Sequence, residues 1–102
     1  MLMELNNDNF ESTLKSGITV VDFWAAWCGP CRLLSPIMDE IGHEVSDITI
    51  GKLNVDENPE LAGKHGVMSI PMLMFFKDGE LKDTSIGVVS KNVILNKINA
   101  LR

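Results

Sequence analysis

The 102-residue chain has two cysteines, Cys28 and Cys31, in the run Trp27-Cys28-Gly29-Pro30-Cys31-Arg32. A bond between residues so close in sequence closes a very small loop, removes little freedom from the unfolded chain and makes a poor structural staple. Reversible thiol–disulfide exchange is the chemistry that suits this spacing. The thiolate is the reactive form, and a free thiol with a pKa of about 8.5 is only slightly ionised at neutral pH, so the site must favour an anion. The flanking sequence supplies the means. Ile18 to Trp24 reads as a buried strand, while Leu33, Leu34, Ile37, Met38, Ile41 and Val45 recur at the spacing of one helix face. The pair therefore sits where a strand hands over to a helix running from about Cys31 to Val45. Unpaired amides and the positive end of the helix dipole stabilise an anion there, above all at Cys28, just outside the first turn. Pro30 suits the opening turn, and Gly29 lets another backbone approach the sulfur. Cys28 is then the nucleophile that attacks a partner disulfide, and Cys31 is the thiol that resolves the mixed disulfide.

Asp22 shares a strand face with Val20 and Trp24, where an isolated carboxylate is costly to bury. Two readings stand side by side. A buried carboxyl with a raised pKa can take the proton of Cys31, directly or through water; a strand-end Asp can also be solvated or paired with Lys52. Lys52, in the strand region Asp47 to Val55, either tunes Asp22 or snorkels to the surface. Trp24 reads as core filling, and Trp27 as a shield for Cys28 that a partner can touch. Gly66 reads as a helix stop, Gly87 as a strand kink or part of a docking surface with Gly29 and Pro30. His65 falls at a helix C-terminus, where a partly charged imidazole is favoured, and His43 points from a helix to water. A zinc site would have to enlist both histidines and both cysteines, whose spacing fits no zinc pattern, so no metal is expected.

The string Trp27-Cys28-Gly29-Pro30-Cys31 behind a hydrophobic strand resembles the active-site signature of the thioredoxin family. Similar landmarks are Phe10, Val21-Asp22-Phe23-Trp24, Pro36, Lys52-Leu53-Asn54-Val55-Asp56, Asn58-Pro59, Ile70-Pro71, Phe76-Lys77-Asp78-Gly79 and Gly87, so the likeness runs over nearly the whole chain. It implies an α/β thioredoxin fold, a mixed central β-sheet flanked on both faces by about four α-helices, in a single domain over residues 1–102. It assigns Asp22 the role of proton acceptor and puts a cis bond at Ile70-Pro71 beside the thiols. Met68, Ser69 and Ile70 would then offer a backbone edge to an extended substrate segment, a form of strand addition. The resemblance also adds Gly87 to the docking surface of Trp27, Gly29, Pro30, Ile70 and Pro71. Met72 stands where the family usually carries Thr, and Val88 where a small Ala is common, so partner choice can differ. The implied activity is reduction of disulfides in client proteins, with a separate thioredoxin reductase restoring the dithiol. The chain has no nucleotide-binding fingerprint, so NADPH or ferredoxin would serve only that reductase and no cofactor is bound.

The length allows one core and leaves no room for a second domain. A net charge of −5, with no cluster of Lys and Arg, argues against general attraction to nucleic acid or an anionic membrane surface and leaves proteins or small molecules as partners of a monomer. Met1 to Leu5 lacks the features of a secretory signal, and no apolar run approaches the roughly 20 residues of a membrane helix, so the chain reads as cytoplasmic. In that reducing compartment a close cysteine pair is more often catalytic than structural.

The remaining elements follow from local signals. Asp8 to Glu11 has the spacing of a capping box and predicts a helix from Asp8 to Lys15. Pro36 predicts a bend in the helix after the cysteines. Asn58 as cap and Pro59 in the first turn predict a brief helix ended by Gly66. Met72 to Phe76, a turn at Lys77-Asp78-Gly79-Glu80 and a return through Leu81 to Val89 predict a hairpin. Ser90 caps a last helix with the stripe Ile94, Ile98 and Leu101. Three other functions fit some of these features: a disulfide-forming or isomerising domain using the same pair, a binding module in which the cysteines are dispensable, and a dimer sharing an iron–sulfur cluster.

Overall fold

A computed structural model describes residues 1–102. In chain order its elements are β1 (Leu2–Glu4), α1 (Phe10–Leu14), β2 (Ile18–Trp24), α2 (Gly29–Glu44), β3 (Ile48–Asn54), α3 (Pro59–Lys64), β4 (Met72–Lys77), β5 (Glu80–Ile86) and α4 (Lys91–Asn99). They form a five-stranded sheet in the order β1-β3-β2-β4-β5. Strands β1, β3 and β2 run parallel, whereas β4 is antiparallel to both β2 and β5. This is the expected mixed sheet with four helices.

The alternation of side chains along β2 explains its central place. Ile18 and Val20 join Leu34, Met38 and Ile41 of α2 and Ile94 and Ile98 of α4 in one core. Val21 and Phe23 point the other way, into a core built from Phe10 and Leu14 of α1, Leu61 of α3, and Met74 and Phe76 of β4. A strand covered on both faces has no polar side to give to water, which is why Ile18 to Trp24 reads as a nearly unbroken apolar run. The sheet is thus sandwiched between α2 with α4 and α1 with α3.

Several local expectations need correction. The three-residue β1 was not expected; it pairs parallel to β3 from Leu2 opposite Ile50 to Glu4 opposite Lys52. Helix α1 is shorter than Asp8 to Lys15, and the capping box does not form. Instead Asn6 Oδ1 accepts from the amides of Asp8 and Asn9, at 2.8 and 3.2 Å, and Asn9 Oδ1 accepts from the Asn6 amide at 2.8 Å. The turn folded by the two asparagines gives the Asp8 amide, one of the two donors the box needs, to Asn6 instead. Asn58 begins α3 without a side-chain cap; its amide donates back to the Asn54 carbonyl at 3.1 Å. Helix α2 starts at Gly29, not Cys31, and Leu33, counted on its buried face, is two-thirds exposed.

Other signals hold. Asp78 and Gly79 both have positive φ, 50° and 86°, and join β4 to β5 across the pair Lys77 and Glu80, as a two-residue hairpin requires. Strand β5 stops at Ile86, short of Val89, because Gly87 turns the chain with φ at 86°. Gly66 ends the α3 region with φ at 68°. Ser90 Oγ accepts from the Val93 amide at 3.3 Å and caps α4. His43 is exposed. His65 does stand at the C-terminal end of α3, but the site disfavours a charged imidazole: its ring packs 4.9 Å from that of Phe10, and burial, reinforced by Lys64, lowers its pKa below 6.5. No helix is long and apolar enough to cross a membrane.

Candidate active site

Strand β2 delivers the chain to the N-terminus of α2, and Cys28 is the residue that caps it. Its backbone is extended, with φ −88° and ψ 109°, and its Sγ accepts from the Cys31 amide at 3.2 Å. The sulfur therefore takes the place a serine or aspartate oxygen occupies at other helix starts, facing an N–H that has no helical partner. Negative charge on Cys28 is stabilised by that donor and by the helix dipole. Pro30 lies in the first turn, where its missing N–H costs nothing. Cys28 and Cys31 are joined as a disulfide with Cα atoms 5.3 Å apart, inside the usual range for the bond.

Both cysteines are almost entirely buried, while Gly29 and Pro30 beside them are exposed and Trp27 is 68% exposed. Ala25 packs with the cysteines in a small cluster flanked by Trp24, Val55 and Ile70. The peptide bond Ile70-Pro71 is cis, and the Ile70 carbonyl oxygen lies 3.9 Å from Cys28 Sγ. Gly87 donates its amide to the Pro71 carbonyl at 2.8 Å, which ties the end of β5 to the cis segment. Met68 and Val88 are exposed, and Met72 is half-buried. Trp27, Gly29 and Pro30 thus flank Cys28 along the chain, Ile70 faces its sulfur, and Pro71 and Gly87 are tied to Ile70 by the cis bond and the Gly87 amide. Gly66, which stands at the end of α3, serves as a helix stop.

Trp27 brings in a residue to which the sequence assigned no role. Its Nε1 donates to Asp56 Oδ2 at 2.8 Å, and the Asp56 amide in turn donates to Asn54 Oδ1 at 2.9 Å. The exposed indole is held by its polar edge, which leaves its apolar face free. Nothing local to Trp27 announces a partner 29 residues away; only the end of β3 lying beside β2 brings it there.

Asp22 is buried to 2% exposure and has an oxygen, Oδ1, that is inaccessible and without a hydrogen-bond partner. Its pKa is raised from 3.8 to about 7, chiefly by burial; Lys52 opposes the rise and Asp39 adds to it. Lys52 is opposite Asp22 in the β2–β3 register but forms no ion pair with it. The ammonium goes to α2 instead, 2.5 Å from Asp39 Oδ1 and 2.6 Å from Ser35 Oγ. Of the two sequence readings of Asp22, the buried carboxyl with a raised pKa holds, and the solvated or Lys52-paired carboxyl does not. Asp39 and Ser35 were not singled out, because polar residues on a helix ordinarily mark its wet face.

A groove of about 280 Å³ borders this region, lined by Trp24, Cys31, Ser35 and Lys52 among others. No group of three or more His, Cys, Asp or Glu side chains is gathered as a metal site.

The arrangement can exchange a disulfide: a sulfur at a helix start, a second sulfur within bonding reach, a titratable buried carboxyl and an apolar rim. Known proteins agree. The family model described as thioredoxin matches residues 1–100. The chain is 50% identical over 91 residues to a thioredoxin of Rickettsia bellii, which covers 87% of each chain. It is 41% identical over 99 residues to a thioredoxin of Bacillus subtilis, covering 96% of this chain and 95% of that one. Among solved structures, a mutant thioredoxin from Halobacterium salinarum matches with a TM-score of 0.91 at 28% identity, covering 98% of this chain and 89% of that one. A chain so alike in sequence and fold, and carrying the redox-active pair Cys28–Cys31, belongs to the thioredoxin family and is a thiol–disulfide oxidoreductase.

Proposed function

We propose that residues 1–102 work as one monomeric domain that reduces disulfides in client proteins, with Cys28 as attacking sulfur and Cys31 as resolving sulfur. The Cys28 thiolate attacks one sulfur of a client disulfide, forming the bond Cys28–S–S–R and releasing the other client sulfur as a thiolate. Asp22 accepts the proton of Cys31. The Cys31 thiolate then attacks Cys28 Sγ, the mixed disulfide breaks, and the second client sulfur leaves as a thiolate that is protonated from solvent. The client gains two electrons, and the pair Cys28–Cys31 is left oxidised.

The observation that carries this reading is the Cys31 amide directed at Cys28 Sγ at the start of α2. The exposed face of Trp27, with Gly29, Pro30, Ile70, Pro71 and Gly87, forms the surface on which an extended client segment lies, its backbone pairing alongside Ile70. Lys52 modulates Asp22. Reduction of the spent disulfide falls to a separate thioredoxin reductase fed by NADPH or ferredoxin, and the working compartment is the cytoplasm.

Reduced protein should precipitate insulin chains faster than dithiothreitol alone. Cys28→Ser should abolish turnover, and Cys31→Ser should accumulate client proteins as mixed disulfides through Cys28. Normal turnover by Cys31→Ser would reverse or remove the assigned roles.

A further inference from the structure

Cys31, Ser35 and Asp39 are spaced four apart on α2, so each lies one turn beyond the last along a single stripe. Across from that stripe the sheet presents one rank of residues in register: Glu4 on β1, Lys52 on β3, Asp22 on β2 and Leu73 on β4. Lys52 is the member of the rank that reaches the helix. Its Nζ contacts Ser35 Oγ at 2.6 Å and Asp39 Oδ1 at 2.5 Å. Asp22, one strand away, has an inaccessible oxygen that no donor satisfies. Neighbouring strands are about 4.8 Å apart, and a lysine stem is flexible, so the ammonium could reach the carboxyl beside it. It is bonded to the helix instead.

We propose that Ser35 and Asp39 are positioning residues that tether the Lys52 ammonium to α2 and off Asp22, leaving that carboxyl free to exchange a proton with Cys31. The inference rests on the proton-acceptor reading of Asp22. The charges that act on Asp22 are Lys52 from β3 and Asp39 from α2; Cys31 and Arg32 of α2 and Glu4 of β1 line the groove beside Lys52, and β4 sets the apolar Leu73 opposite Asp22. Arg32 is engaged elsewhere, donating to the Ala26 carbonyl at 2.7 Å. Lys52 is therefore the mobile charge of the set.

Ser35 separates the tether from plain charge effects because it carries no charge. Removing its hydroxyl can alter Asp22 only by letting Lys52 move, whereas removing Asp39 also deletes a like charge. An opposite charge within about 4–6 Å lowers a carboxyl by about 1–3 pH units. In the disulfide form, Ser35→Ala should lower the Asp22 midpoint, followed by carbon-13 NMR of the carboxyl, by about one unit. Asp39→Asn should lower it further, and Ser35→Thr should keep the parent midpoint because it keeps the hydroxyl. In a Lys52→Met background, Ser35→Ala should move nothing. An unmoved or raised midpoint in Ser35→Ala, or a shift that persists without Lys52, overturns the tether. The pH midpoint for resolution of a preformed mixed disulfide should fall in parallel with the titration. A shifted carboxyl with an unshifted rate profile would overturn Asp22 as the proton acceptor while the tether stood, so the two failures are distinguishable.

Discussion

Replacing Asp22 by Asn should make the protein more stable at neutral and alkaline pH and leave it little changed in acid. Burial raises the Asp22 carboxyl from 3.8 to about 7 against the pull of Lys52. A carboxyl whose folded value lies above its unfolded one binds protons more tightly in the native state. Between the two values the native chain therefore holds more protons, and stability falls as pH rises. The loss begins near pH 4, is complete near pH 7, and stays constant above that. A gap of about three units at about 1.36 kcal/mol per unit amounts to about 4 kcal/mol. Asn matches the carboxyl in shape, carries no charge, and at Oδ1 breaks no existing hydrogen bond. Any fixed cost of burying its amide displaces the whole curve without giving it a slope. The difference in unfolding free energy between Asp22→Asn and the parent should therefore grow by about 4 kcal/mol from pH 4 to pH 8. Urea unfolding of the disulfide form checks this, because oxidised cysteines do not titrate and the other ionisable groups cancel in the difference. With a slope of roughly 2 kcal/mol per molar urea, the midpoints should separate by about 2 M across that range. A difference that is flat with pH, or that grows toward acid, would refute the reasoning.

Two further substitutions test the packing on the opposite face of the sheet. At Gly51, in β3, an added Cβ would come within 2.7 Å of Leu5 Cγ, so Gly51→Ala should cost about 1–3 kcal/mol; adding Leu5→Ala should recover part of that loss in a double-mutant cycle, and strictly additive costs would disprove the clash. His65 has a pKa below 6.5 in the fold, so the unfolded chain takes up its proton first and this contribution to stability is lost as pH falls below 6.5. His65→Phe keeps an aromatic ring beside Phe10 and should flatten that part of the acid limb; thermal unfolding curves with identical pH dependence for the two proteins would count against it.

What could be read in the sequence was what local chemistry announces. Cys28 and Cys31 declare themselves by spacing, the preceding strand by apolar residues on both faces, and the hairpin by Asp78-Gly79, whose positive φ values are those the turn needs. Strand β1 left no such mark, being too short to show alternation; it is held by pairing with β3, with the Ile50 amide donating to the Met1 carbonyl at 2.7 Å and the Leu5 amide to the Lys52 carbonyl at 2.8 Å. The capping box at Asp8 to Glu11 failed because Asn6, also in plain view, offered the Asp8 amide a competing acceptor in a turn that Asn9 closes. Leu33 failed for a different reason: a helix lying on a sheet buries a narrower stripe than its apolar residues can fill, and Leu34, Met38 and Ile41 already occupy it.

The polar stripe of α2 sets the limit of such reading. The fourfold spacing of Cys31, Ser35 and Asp39 is visible in the chain, but it has no meaning until Lys52 stands opposite, and Lys52 stands there only through the β2–β3 register. Ile50 and Lys52 are two apart on one strand and so share a face, as Val20 and Asp22 do on the next. Ile50 and Val20 are both fully buried under α2. Burying those two apolar residues fixes the register, since a slip of one residue would turn every side chain of the strand to the opposite face. The same packing then has no choice but to carry Lys52 and Asp22 to the α2 side, one position further along, where Lys52 lines the same groove as Cys31. The hydrophobic core thus sets a lysine and a buried carboxyl on neighbouring strands under α2, and the ammonium goes to Ser35 and Asp39 of the helix while Asp22 Oδ1 stays without a partner.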